Sequence, residues 1–102
     1  MTRTKRRTPM NTQDLAAALA ARTGLTRTVA EDTVSTLLDL IATEVTDGDK
    51  VTLPRFGVFE ARHRAARAGR DPRTGEPITV AARRVPVFRP SSAFRERVDG
   101  RP

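Results

Sequence analysis

A chain of 102 residues is long enough for one domain and too short for two, and with 37% apolar residues, four Phe and no Tyr or Trp it can bury only a small core of its own. The absence of cysteine excludes disulfides and thiolate zinc sites, and no apolar run is long enough to cross a bilayer. The net charge of +7 is unevenly spread: residues 11–49 hold seven acids against two arginines, residues 55–89 nine arginines against three acids, which excludes a generally sticky protein and directs one surface at phosphate.

In chain order, residues 1–9 form a basic, Thr-rich tail expected to be disordered. The basic cluster at residues 3–7 and the apolar run at 15–21 stand in the order of a secretion signal. Polar residues at 11–14 interrupt them, however, and the run is mostly alanine, so no leader is expected. Residues 11–23 are predicted to be helical, with Asn11 and Asp14 in a capping-box relation and Gly24 as the stop. A second helix begins at Thr26 or Thr28, the latter having box spacing to Glu31. It carries the apolar stripe Ala30, Val34, Leu37, Leu38, Ile41 and Val45, and ends at Gly48. These two helices read as a hairpin with one buried face.

Residues 50–53 are predicted as a short strand, turned by Pro54-Arg55. A long strand begins at Phe56 and runs into a basic arm, and the return strand covers residues 78–88. Between them, residues 62–75 hold almost no large apolar side chain and place arginines at 62, 64, 67, 70 and 73. Asp71-Pro72 followed by Gly75 is turn chemistry, so the stretch reads as the outer half of a β-hairpin. Ser91 or Ser92 caps a last short helix, and residues 100–102 fray. The fold class is α+β: a helical hairpin base, a three-stranded antiparallel sheet with a long protruding β-arm, and a short C-terminal helix. With so much of the chain in an exposed arm, a dimer is expected to complete the core.

The segments Phe56-Gly57-Val58-Phe59, Arg67-Ala68-Gly69-Arg70-Asp71-Pro72-Arg73-Thr74-Gly75 and Val85-Pro86-Val87-Phe88-Arg89-Pro90 closely resemble the HU/integration host factor family of bacterial DNA-bending proteins. The match runs from about residue 10 to residue 99, the DNA-binding domain. The resemblance implies an intertwined dimer whose two arms reach round the duplex into the minor groove. It implies that Pro72 is the wedge that intercalates and kinks DNA, and that Arg64, Arg67 and Arg70 contact backbone and groove edges; the basic stretch itself adds Arg62 and Arg73 as candidate DNA contacts. Arg84 and Arg89 would lie on the saddle beneath the DNA, and Phe56, Phe59 and Phe88 in the dimer core. Three positions depart from the family pattern. Arg55 stands where the family often has Gly, as an added candidate phosphate contact. Arg83 replaces a small polar residue and adds charge to the saddle. Pro90-Ser91-Ser92 lacks the family's phosphate-binding Lys.

Other chemistries find little support. His63 is the only histidine and has no Cys or acid cluster beside it, so no metal is expected. No nucleophile–base pair, Gly-rich phosphate loop or paired carboxylates appear, which argues against an enzyme and against a cofactor. The partner expected is double-stranded DNA, bound by a homodimer in the cytoplasm at the nucleoid, although a heterodimer fits the same motifs. RNA is a secondary partner, since no exposed aromatic is available to stack single strands. The expected function is architectural, with little sequence preference. The alternatives are a site-preferring relative like integration host factor, serving recombination or transcription, and a basic hairpin that docks an acidic protein.

Overall fold

Asn11 opens the first helix as its sequence predicts. In the computed structural model, which describes residues 9–100, α1 spans Thr12–Thr23. The Asp14 backbone N–H donates to Asn11 Oδ1 at 2.9 Å and the Asn11 N–H donates to Asp14 Oδ2 at 3.1 Å, which closes the capping box. Gly24, at φ 80°, ends the helix and donates to the Ala20 carbonyl. Helix α2 follows at Arg27–Thr46. Of its two candidate caps, Thr26 takes the role: the Val29 N–H donates to Thr26 Oγ1 at 3.2 Å, and Thr28 lies inside the helix. The basic, Thr-rich tail lies outside the described residues except for its last residue, Pro9.

The chain divides into two compact units, one ending at Leu40 and the other beginning at Ile41. In the first, Ala16 and Ala30 are wholly buried, while Leu15, Leu37, Leu38 and Leu40 remain 48–56% exposed. Covering such a leucine fully is worth about 1.5–3 kcal/mol. An apolar surface of this extent on α1 and α2 is what a second subunit would bury.

Among the described residues, the second unit contains the end of α2 from Ile41, five strands and a further helix. Strands β1 (Val51–Leu53), β2 (Gly57–Arg64) and β5 (Arg83–Pro90) form an antiparallel sheet in the order β1-β2-β5. Strands β3 (Arg67–Arg70) and β4 (Pro77–Val80) form a separate antiparallel pair. The arm is therefore not continuous with the sheet, as three unbroken strands would require. It separates at Ala65-Ala66 on one side and Ala81-Ala82 on the other. Alanine is depleted in strands and packs poorly on a pleated surface, so the ladder yields there. Phe56 also falls before the strand rather than within it. Helix α3 spans Ser92–Asp99, capped by Ser91, whose Oγ accepts from the Phe94 N–H at 3.1 Å.

Four phenylalanines cluster in this unit. Phe56 stacks on Phe94 at 5.0 Å between centroids, Phe59 meets Phe88 at 4.7 Å, and Phe56 meets Phe88 at 5.3 Å. Gly57 lies against them, because a Cβ there would come within 2.5 Å of the Phe88 ring and 2.6 Å of the Arg89 carbonyl oxygen. Just before it, the Phe56 N–H donates to the Leu53 carbonyl at 3.0 Å, closing a turn over Leu53-Pro54-Arg55-Phe56. Pro suits the second position of such a turn, and the third needs positive φ. Arg55 occupies it at φ 70°, and among the described residues no other non-glycine has positive φ. An L-residue held there costs about 1 kcal/mol. Arg55→Gly is accordingly expected to raise unfolding stability by about 1 kcal/mol in urea titrations. Unchanged or lower stability would mean that the arginine side chain offsets the backbone cost.

Candidate nucleic-acid interface

Pleating sorts the side chains of the main sheet onto two faces, since residues directly opposite one another across a ladder share a face. Phe59 pairs with Phe88 and His63 with Arg84, so one face carries the aromatic cluster and Arg84. Val58 pairs with Arg89, Glu60 with Val87, and Arg64 with Arg83, so the other face carries Arg62, Arg64, Arg83 and Arg89. Lys50 joins that face: its Nζ lies 3.7 Å from Glu60 Oε1. One side of the sheet thus holds the phenylalanines, with His63 and Arg84 toward the arm, and the other holds the remaining arginines interleaved with Val58, Val85 and Val87.

Glu60 stands in the middle of the cationic face. Its Oε2 accepts from Arg89 Nε at 2.5 Å and lies 3.5 Å from Arg62 Nη2. The hydrogen bond from Arg89 and the positive charges of Arg89, Lys50 and Arg62 hold its carboxyl below the usual carboxylate range, against a smaller opposing effect of burial. The three cations keep half or more of their side chains exposed, while Glu60 is only 12% exposed.

Arg84, assigned to the saddle by resemblance, faces the other way. Its guanidinium Nη2 donates to the Val45 carbonyl at 3.3 Å and the Thr46 carbonyl at 3.1 Å. Those carbonyls end α2, whose last turn contains no basic residue of its own. A cation there satisfies the Thr46 carbonyl, adds a second donor to the Val45 carbonyl that already accepts from the Gly48 N–H, and complements the negative end of the helix.

The arm presents two further faces. Arg67 and Gly69 share one with Val80 and Ile78; Ala68 and Arg70 share the other with Thr79 and Pro77. Ile78 stays 45% exposed opposite the glycine. The tip is tied at several points. Asp71 and Gly75 donate their N–H groups to the Glu76 and Asp71 carbonyls at 2.9 and 2.7 Å. The Arg73 N–H donates to Asp71 Oδ1 at 2.8 Å, and Arg70 Nη1 donates to the Gly75 carbonyl at 2.9 Å. Pro72 sits exposed in this turn and has no N–H to satisfy. The geometry therefore brings together Arg62, Arg64, Arg83 and Arg89, groups Arg67, Arg70, Pro72 and Arg73 on the arm, and leaves Arg55 at the β1–β2 turn. Sequence reasoning missed Lys50, Glu60 and Phe94. Extending the β1–β2 pairing back by one residue would have set Lys50 against Glu60.

No group of three or more metal-ligating side chains occurs among the described residues, and no helix there is long and apolar enough to cross a membrane. Residues 10–99 match the family described as bacterial DNA-binding protein. The chain belongs to that family. It is 46% identical over 88 residues to DNA-binding protein HU of Lactococcus lactis, covering 86% of this chain and 97% of that protein. It is 41% identical over 91 residues to DNA-binding protein HU-beta 2 of Neisseria meningitidis, covering 89% of this chain and all of the relative. The fold superimposes on Anabaena HU from its cocrystal structure with DNA, with a TM-score of 0.83 and 43% identity over 87% of this chain and 97% of that one. As a bacterial DNA-binding protein the chain is architectural and not an enzyme. HU proteins function as dimers.

Proposed function

We propose that this chain works as a homodimer that binds duplex DNA with little sequence preference, bends it with its two arms, and compacts the chromosome at the nucleoid. The observation that carries the reading is the division of the main sheet into an aromatic face and a face of half-exposed cations, continued by an arginine-bearing arm. Arg62, Arg64, Arg83 and Arg89 with Lys50 neutralise phosphates beneath the duplex. Arg67, Arg70 and Arg73 follow the backbone and the minor groove, to which guanidinium groups are well suited. Pro72 enters a base step. Arg55 adds a phosphate contact from its turn, and Arg84 serves the fold instead. Phe56, Phe59 and Phe88, with Phe94, form the apolar layer against which the partner subunit packs.

Affinity from phosphate contacts is steeply salt-dependent and nearly blind to sequence. Titrating several duplexes of equal length and unrelated sequence with salt is expected to give similar affinities and a common steep slope. A fall of roughly a thousandfold or more between about 50 and 200 mM salt would correspond to six or more phosphates neutralised. One duplex preferred by orders of magnitude would favour a site-preferring protein like integration host factor. Negligible binding at low salt would overturn the DNA reading.

A further inference from the structure

Glu60 is an acid placed where a DNA-binding face gains least from one. It lies on β2, on the face opposite the phenylalanines, and its two oxygens engage all three nearby cations: Lys50 on Oε1, Arg62 and Arg89 on Oε2. Simple strand stability does not require it. Its cross-strand partner is Val87, and a β-branched apolar residue at position 60 would pair there at least as well. The surrounding cations are half exposed or more, whereas the acid is only 12% exposed. Arranged in this way, the carboxylate occupies the position toward which several positive groups converge, as a phosphate oxygen would.

We propose that Glu60 is an internal competitor for DNA phosphate that sets the affinity of the cationic face. In the free protein it holds Lys50, Arg62 and Arg89 over one carboxylate and lowers the local charge by one. On binding, phosphates must draw those cations from Glu60, so each contact forms in exchange for an ion pair already made. Partly exposed pairs of this kind are individually weak, so the exchange is readily reversible. A face built in this way binds less tightly than its cations allow and releases DNA faster. This inference rests on the DNA reading above and deepens it.

The test compares the native chain with Glu60→Gln on one duplex across a salt series. The amide retains an oxygen that accepts from Arg89, and thermal melting checks that the variant folds. Glu60→Gln is expected to bind roughly fivefold more tightly at about 0.1 M salt, the order set by partly exposed ion pairs. Its log–log salt slope is expected to steepen by about 0.9 for each Glu60 that faces the DNA. Asp39→Asn, an exposed site on α2, raises net charge equally and serves as the control; its effect is expected to be smaller. Equal effects from the two variants would overturn the inference, as would unchanged or weaker binding by Glu60→Gln with an unaltered slope. Should that variant fail to fold, the carboxyl carbon resonance of Glu60 in the native protein decides: it is expected to shift when DNA is added, and a resonance that stays in place overturns the inference. No binding by the native chain would overturn the DNA reading as well, whereas native binding with no difference in the variant overturns this inference alone.

Discussion

Pro72→Ala is expected to straighten bound DNA while changing low-salt affinity by less than about tenfold. The separation follows from what each part of the arm contributes. Affinity comes mainly from cations, and none is lost in this variant. Bending requires opening a base step, which costs a few kcal/mol and must be offset by contacts along the bent duplex. The tip is built to hold its apex rigid. Asp71 and Gly75 close the turn, Arg73 is anchored to the Asp71 carboxylate, and Arg70 reaches across to the Gly75 carbonyl. Proline presents a stiff apolar ring with no donor to desolvate, whereas alanine offers one methyl group. Energy transfer between dyes at the two ends of a short duplex measures the bend. An unchanged end-to-end distance would sink the wedge role, and a loss of affinity parallel to the loss of bending would mean that Pro72 acts by shaping the arm.

Gly57→Ala is expected to have the larger effect on the fold, a loss of about 3 kcal/mol or more. The added Cβ would sit 2.5 Å from a Phe88 ring carbon and 2.6 Å from the Arg89 carbonyl oxygen. A ring can move, but the carbonyl belongs to β5 and cannot retreat without opening the ladder beside Gly57 and Pro90. Small domains are stable by only a few kcal/mol in total, so the variant is expected to be substantially unfolded or to melt far below the native protein. A melting temperature within a few degrees of native would show that β5 yields more readily than a packed strand does.

The parts of this fold that sequence reveals are those decided locally. Asn11, Asp14 and Gly24 bound α1 through contacts within a few residues, and Ser91 caps α3 in the same way. The glycine and proline at the arm tip dictate a turn wherever the arm lies. What stayed hidden depends on partners distant in sequence. Thr26 and Thr28 both precede a helical stripe, and spacing alone could not choose between them. The breaks at Ala65-Ala66 and Ala81-Ala82 carry no turn residue and read as a continuation of the strands. Phe94 sits in a short helix whose importance comes only from Phe56 and Phe88. Glu60 reads as one acid within a basic stretch until register places Lys50, Arg62 and Arg89 around it. The site was legible as a set of arginines but not as two faces. Whether Arg83 or Arg84 belongs to the cationic side depends on pleat parity, which adjacent basic residues in a sequence do not disclose.

The contact between Arg84 and the end of α2 also bears on how the chain avoids misfolding. Alternation of polar and apolar residues guards a strand against slipping by one position, because every side chain would then change face. It offers no protection against a slip of two, which restores the alternation. Here a slip of two in β5 would bring Ala82 or Pro86 to the place of Arg84. Neither side chain carries a hydrogen-bond donor, so the Thr46 carbonyl would be left unanswered and the Val45 carbonyl would keep only the Gly48 N–H. Arg84 thus acts as a registration key, one residue that checks the alignment of the strand carrying Arg83 and Arg89 against a helix more than thirty positions earlier in the chain.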